Sequence, residues 1–296
     1  MTQENKIPKK IYKPTSFLSG LDEIKQDLII RTKTGDITYG VEILDDCVEF
    51  IRQYTVTLIM AVPNVGKSLL AQNIACNIAK QGKKVLFCSC EMTSGLLMER
   101  QLKKLVGVTS RQLIEGYKKH PSSIDKIFDT IIEGEEFKYL QNIAVLDIGG
   151  ITINELIEVF DEYKEYDYII VDYIQRIKGT GSTEYEQLKD VSYSLQIYAM
   201  EKGKAIIECS QIPKIVDTDS RTVKTGIDFT KLRAKGGGNP EEDAHVAIKM
   251  AEDFLPDGKR CVLINLSKNK YGDLKNITYR YRINSRLDFE LINKDI

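Results

Sequence analysis

Residues 54–61, Tyr-Thr-Val-Thr-Leu-Ile-Met-Ala, run straight into Val62-Pro63-Asn64-Val65-Gly66-Lys67-Ser68, and a helical periodicity starts at the serine and stops near Gly82. An apolar β-rich strand, a loop closing on Gly-Lys-Ser, and a helix restrict the fold sharply. That junction belongs at the carboxyl end of a parallel strand in an α/β sheet. The pattern is GxxxxGK[ST] with Ala61 in the first glycine position. Backbone N–H groups of such a loop and of the first helical turn converge on one point and suit a phosphate. Gly66 admits close backbone approach, Lys67 would neutralise β- and γ-phosphates, and Ser68 would hold Mg²⁺ through its hydroxyl. The expected ATP-binding set is Ala61, Pro63, Asn64, Val65, Gly66, Lys67, Ser68 and Leu69.

The rest of the chain repeats the α/β pattern. Residues 84–90, 143–148, 168–172 and 205–210 are near-continuous apolar runs that predict strands buried on both faces. Helices are expected around 94–106, 110–117, 122–133, 152–163 and 185–201. The apolar runs 244–250, 260–267 and 275–283 follow without helices between them and predict an antiparallel edge. Residues 1–15 are polar and basic and read as a flexible tail. Phe17, Leu18, Leu21, Ile24, Leu28 and Ile29 recur at helical spacing, so 16–34 reads as a linker helix. It either caps its own domain or docks on a neighbouring subunit. Residues 35–296 are left as one large α/β domain.

Charge and cysteine content narrow the class. With 42 basic and 43 acidic residues the net charge is -1, which argues against coating nucleic acid with the whole surface but permits a basic lining. Six cysteines show no CxxC pair and no metal spacing, so they read as buried small hydrophobes in a reducing cytosol. The start has no apolar signal region and no run reaches the ~18 residues of a membrane span. A cytoplasmic protein is expected.

Phosphate chemistry also needs acids. Asp172 ends the run Tyr168-Ile169-Ile170-Val171 and would order the Mg²⁺ water shell. Tyr173 follows it, where AAA+ proteins place a catalytic Glu, so the general base must lie elsewhere. Glu91, ending the strand after the loop's helix, is the candidate; it could equally be a helix-start residue.

At this point the motifs resemble, in order, the C-terminal RecA-like motor domain of DnaB-type replicative helicases, in a phage-like version. The resemblance covers about residues 38–291. Cys90-Glu91-Met92 with Arg100 is similar to the motif that supplies the family's base, and Val171-Asp172-Tyr173-Ile174-Gln175 to its magnesium motif. Ser210-Gln211 looks like the motif whose Gln senses the γ-phosphate, and Leu232-Arg233 through Ala244 like the DNA-contacting segment. The resemblance implies a RecA-like P-loop core and a hexameric ring moving 5′ to 3′ on single-stranded DNA. It also implies a helicase loader and a primase as partners. Arg176, Lys178, Arg233, Lys235 and Gly236 would line the pore, with Lys214, Arg221 and Lys224 in the second loop. Three departures stand out. Lys268 and Lys270 fall where the family has Lys-x-Arg reaching a neighbour's nucleotide. Ala234 replaces a Glu, with two extra residues in the glycine run. The N-terminal helical domain is not expected in this chain. Two alternatives stay open: another RecA-class ATPase of recombinase-like or clock type, and a non-catalytic partner of a host helicase.

Overall fold

The computed structural model describes residues 35–213, 227–236, 240–273 and 275–294, together with the helical positions Leu21, Ile24, Lys25, Leu28, Ile29 and Thr32. The tail 1–15, Phe17, Leu18, Lys214, Arg221 and Lys224 lie outside the described residues. The chain divides into two units, Met1–Asp36 and Ile37–Ile296. In the first, Leu21, Ile24 and Leu28 are exposed.

The second unit is built on one nine-stranded sheet of order β3-β2-β4-β5-β1-β6-β7-β8-β9. The strands are β1 Thr55–Ala61, β2 Val85–Ser89, β3 Ile143–Asp147, β4 Tyr168–Asp172, β5 Ala205–Gln211, β6 Val246–Phe254, β7 Arg260–Asn269, β8 Ile277–Ile283 and β9 Phe289–Asn293. All pairings from β3 through β6 are parallel, and β6–β7, β7–β8 and β8–β9 are antiparallel. The mostly parallel sheet with an antiparallel edge is therefore as expected. Two details differ. The run at 246 joins the parallel set beside β1, so the edge begins one strand later, and β9 adds a strand that the polar sequence around it concealed.

Every residue of β1, β2 and β4 is buried. Side chains alternate between faces along a strand, so continuous apolar runs feed two cores. Ile59, Ile170 and Ile207 enter one layer; Leu58, Met60, Ile169 and Ile206 enter the other. The helix α1, Lys67–Lys80, fills the first layer with Leu70, Ala71, Ile74, Ala75 and Ile78. The helix α2, Ile153–Glu162, and the helix α3, Glu184–Lys202, cover the second with Leu156, Phe160, Leu188, Val191 and Leu195. Both start at capping boxes, Thr152 with Glu155 and Thr183 with Glu186, which satisfy otherwise orphaned N–H groups. All six cysteines are free, and five are buried.

Candidate nucleotide site

The loop after β1 turns into α1 at Gly66, whose φ of 110° only glycine adopts readily. A side chain there would also crowd Ile283 at 3.2 Å and Phe289 at 3.3 Å. No side chain caps α1 and no acid lies in its first turn. A helix leaves its first N–H groups without intrahelical partners, so here they are free to meet an anion. Gly66, Lys67, Ser68 and Leu69 line a cleft of about 590 Å³, and Ala61, Pro63 and Asn64 border it too. That is the size of an ordinary small-ligand site, and its donor set fits a nucleotide phosphate chain. Val65 is the exception in the loop: its side chain is 1% exposed and belongs to the core.

Lys67 forms an ion pair with the Asp172 carboxylate, the two side chains being 12% and 6% exposed. Its ammonium also lies 4.8 Å from the centroid of the Tyr173 ring. Burial works against the charge, but the hydrogen-bonded Asp172 carboxylate outweighs it and the lysine is held above its usual range. The cleft thus keeps a fixed cation beside a fixed acid.

Glu91, Arg100 and Gln211 line the same cleft. Cys90 N donates to Asp172 O at 2.8 Å, and Met92 N to Ser89 Oγ at 3.1 Å, so the chain is fastened on both sides of Glu91. The structure therefore brings together Lys67, Ser68, Glu91, Arg100 and Gln211, with Asp172 behind Lys67.

Four further lining residues escaped sequence reasoning: Val62, Met92, Tyr173 and Leu287. Tyr173 entered the sequence reading as the residue that follows Asp172. Its ring faces Lys67, and its hydroxyl accepts from Arg176 Nε at 2.9 Å. Leu287 comes from the turn between β8 and β9. Its carbonyl accepts from Asn73 of α1 at 3.1 Å, 214 residues away in sequence, and Lys104 pairs with Asp288 at 2.7 Å. No local pattern signals such a contact.

Lys268 and Lys270 do not join this cleft. β7 runs antiparallel to β6 and ends with Asn269 opposite Val246, at the amino edge of the parallel strands. Lys268 Nζ donates to the Glu241 and Glu242 carbonyls at 2.5 and 2.9 Å. Lys270 is exposed, and its N–H donates to His245 O at 3.0 Å.

The cation-bearing segments leave the carboxyl edge. Arg176 and Lys178 are exposed, and Lys178 is pinned by backbone hydrogen bonds to Ile151 and Ile153, each 2.9 Å. Arg233 and Lys235 are exposed, and Gly236 follows with a φ of 96°. Ala234 between them is 5% exposed and packs into the second core layer, a position that suits a small apolar side chain. Lys235 N donates to Gln211 O at 2.6 Å, joining this segment to the cleft.

A family model for the DnaB-like helicase C-terminal domain matches residues 36–287. The chain belongs to that family. Among relatives of this DnaB-like domain, a probable plasmid replicative DNA helicase of Chlamydia muridarum is 26% identical over 267 residues, covering 87% of this chain and 56% of that protein. The chain spans about half the length of the curated relatives it matches. Among solved structures, the ATPase domain of G40P superposes with a TM-score of 0.77 at 19% identity, covering 95% of this chain and all of that one. A DnaB-like replicative helicase, described with its interactions with primase, gives a TM-score of 0.70 at 19% identity over 94% of this chain and 67% of its own. These two likenesses speak for a shared fold, the RecA-like one. Family membership sets aside the recombinase-like and clock-type alternatives.

Proposed function

We propose that this DnaB-like domain is the ATP-hydrolysing motor of a replicative DNA helicase. It works as a homo-oligomeric, hexameric ring in the cytoplasm, moving 5′ to 3′ along single-stranded DNA and excluding the complementary strand. One observation carries the proposal. Lys67, Ser68, Glu91 and Gln211 line one cleft, while the backbone of Gln211 is hydrogen-bonded to Lys235 in a cation-bearing segment.

In this reading Lys67 and the uncapped start of α1 hold the phosphates. Ser68 and Asp172 are the residues to hold Mg²⁺, which when bound offsets phosphate charge. Glu91 takes a proton from the attacking water. Gln211 responds to the γ-phosphate, and Arg100, which lines the same cleft, contacts the nucleotide. Lys270, with Lys268 next to it, serves the nucleotide of an adjacent copy, because the sheet keeps both away from their own cleft. Arg176, Lys178, Arg233, Lys235 and Gly236 hold the backbone of one DNA strand without reading bases. The ring also has an apolar contact to offer: Leu21, Ile24 and Leu28 are exposed at helical spacing. A primase and a helicase loader are its proposed partners.

ATP hydrolysis with and without single-stranded DNA tests this, using wild type and Lys67→Ala. The expected result is turnover that rises with DNA and vanishes in the variant. Lys67→Ala leaves the buried Asp172 without its partner, a change worth about 3–5 kcal/mol in comparable pairs, so a thermal melt must accompany it. Turnover indifferent to DNA contradicts the motor reading. Absent turnover in a folded wild type moves the weight to a non-catalytic partner of another helicase.

A further inference from the structure

β4 and β5 pair as strands only as far as Val171 opposite Glu208. Beyond Asp172 the chain turns away into a single 3-10 turn, Ile174–Arg176. β5 runs on to Gln211, still paired with β1 on one side as far as Ala61 but without β4 on the other. The side chain of Gln175 takes over the pairing. Its Oε1 accepts from Gln211 N at 3.1 Å, and its Nε2 donates to Gln211 O at 3.1 Å and to Ser210 Oγ at 2.7 Å. One primary amide thereby reproduces both bonds that a neighbouring strand would have given Gln211.

The Gln211 carbonyl is shared. It also accepts from Lys235 N at 2.6 Å, and Gln175 Nε2 lies 3.5 Å from Lys235 O. Gln175 thus stands where three pieces meet: the chain three residues past Asp172, the backbone that carries the Gln211 side chain in the cleft, and Lys235 in segment 233–236. Outside this junction, segment 233–236 is held by the burial of Leu232 and Ala234 and by Arg233 Nη1, which donates to Thr230 O at 2.5 Å and Leu232 O at 3.0 Å. Its cations, Arg233 and Lys235, stay exposed. A shift of Gln211 therefore changes the geometry of Lys235 through a common acceptor, and Gln175 fixes the frame against which that shift is made.

We propose that Gln175 is a positioning residue that couples nucleotide state in the cleft to the grip of segment 233–236 on single-stranded DNA. It touches neither ligand and acts through Gln211 and Lys235. The inference rests on the motor reading above and adds a residue which that reading does not need.

The test is a linkage measurement, since coupling is the factor by which one ligand changes the affinity for the other. The Kd of the full chain for a fluorescein-labelled oligothymidylate is measured by anisotropy, once with a non-hydrolysable ATP analogue and once with ADP. Wild type is expected to show a ratio of about tenfold or more between the two states, within the usual range of coupling factors. In Gln175→Ala the ratio falls to within about twofold of unity. Gln175→Glu retains an acceptor for Gln211 N but loses both donations, and the same collapse is expected; it serves alone if the alanine variant does not fold. A purely structural role would weaken both affinities together and leave the ratio standing. A wild-type ratio that persists in either folded variant overturns this inference alone. A wild type whose DNA affinity ignores the nucleotide overturns the motor reading, and the inference with it.

Discussion

Lys67 and Lys270 are both cations proposed to meet phosphate, and they sit at opposite edges of one sheet. Lys67 is sunk between β1, β4 and α1, paired with Asp172 and faced by Tyr173. Lys270 is exposed on the segment that closes β7, and its surroundings hold its backbone instead. His245 supplies the carbonyl for Lys270 N, Tyr271 stacks parallel to the His245 ring at 6.2 Å, and the Arg52 guanidinium lies 4.2 Å from the Tyr271 ring centroid. One edge fixes a charge; the other fixes a backbone and leaves a charge free to reach outward. With the roles proposed above, a single chain carries two half-sites at opposite edges of its sheet. That arrangement is useful when copies stack edge to edge, as in a ring with heterologous contacts.

Substitutions at the two edges should therefore fail differently. The largest effect is expected at the cleft. Glu91→Gln keeps the shape and loses the base, so nucleotide binding persists while kcat falls by ~10²–10⁴-fold. Equilibrium binding of a fluorescent ATP analogue beside steady-state turnover measures both, and ordinary turnover in the variant removes Glu91 from its proposed role. A smaller loss is expected at the far edge. Lys270→Ala should leave binding by the chain's own cleft unchanged and lower kcat by ~10²-fold. That is less than the ~10³–10⁵ of an arginine finger, since an ammonium lacks the planar fork. A loss of binding equal to the loss of turnover would place Lys270 in its own cleft and dissolve the contrast.

The smallest effect concerns pH. His245 Nδ1 accepts from Val56 N at 3.1 Å, which requires the neutral ring. Burial first, then Lys270 and Lys268, push its pKa from 6.5 down to about 4. The folded state therefore binds fewer protons than the unfolded chain between those values. Its contribution to stability is complete above pH 6.5 and is lost as pH falls towards about 4. Thermal melts of wild type and His245→Gln across that window should diverge, with wild type losing more on acidification. Parallel curves would show that the ring is not held neutral.

Much of the cleft could be read before any coordinates. A seven-residue apolar strand, a Gly-Lys-Ser turn and a helix are contiguous, so local sequence specifies their joint geometry. Asp172 and Glu91 were legible for the same reason: each ends an apolar run, and parallel strands bring such ends to one edge. The capping boxes at Thr152 and Thr183 went unread, although the helices they start were expected at 152–163 and 185–201. What stayed hidden depends on contacts across the sheet. Leu287 reaches the cleft through a turn whose neighbours are polar, and β9 has too little apolar alternation to declare itself. Gln175 was visible only as a letter in a motif, because its role exists only where β4 leaves β5. Val65 was counted with the loop by position, whereas its side chain fills the core. The opposite placement of Lys67 and Lys270 needed the direction of β6, whose parallel pairing with β1 was masked by the antiparallel strands that follow it.

Complementation tests the two-edge account most directly. Lys67→Ala and Lys270→Ala proteins are assayed for DNA-free ATP hydrolysis, separately and after mixing under conditions that let subunits exchange. Each alone should be nearly inactive. In an equal mixture, a Lys270→Ala chain offers an intact cleft, and a Lys67→Ala neighbour offers an intact Lys270, so random assortment restores about a quarter of the composite sites. Recovery of that order is the predicted result. A mixture no more active than its two components would contradict the claim that each site is completed by a second copy.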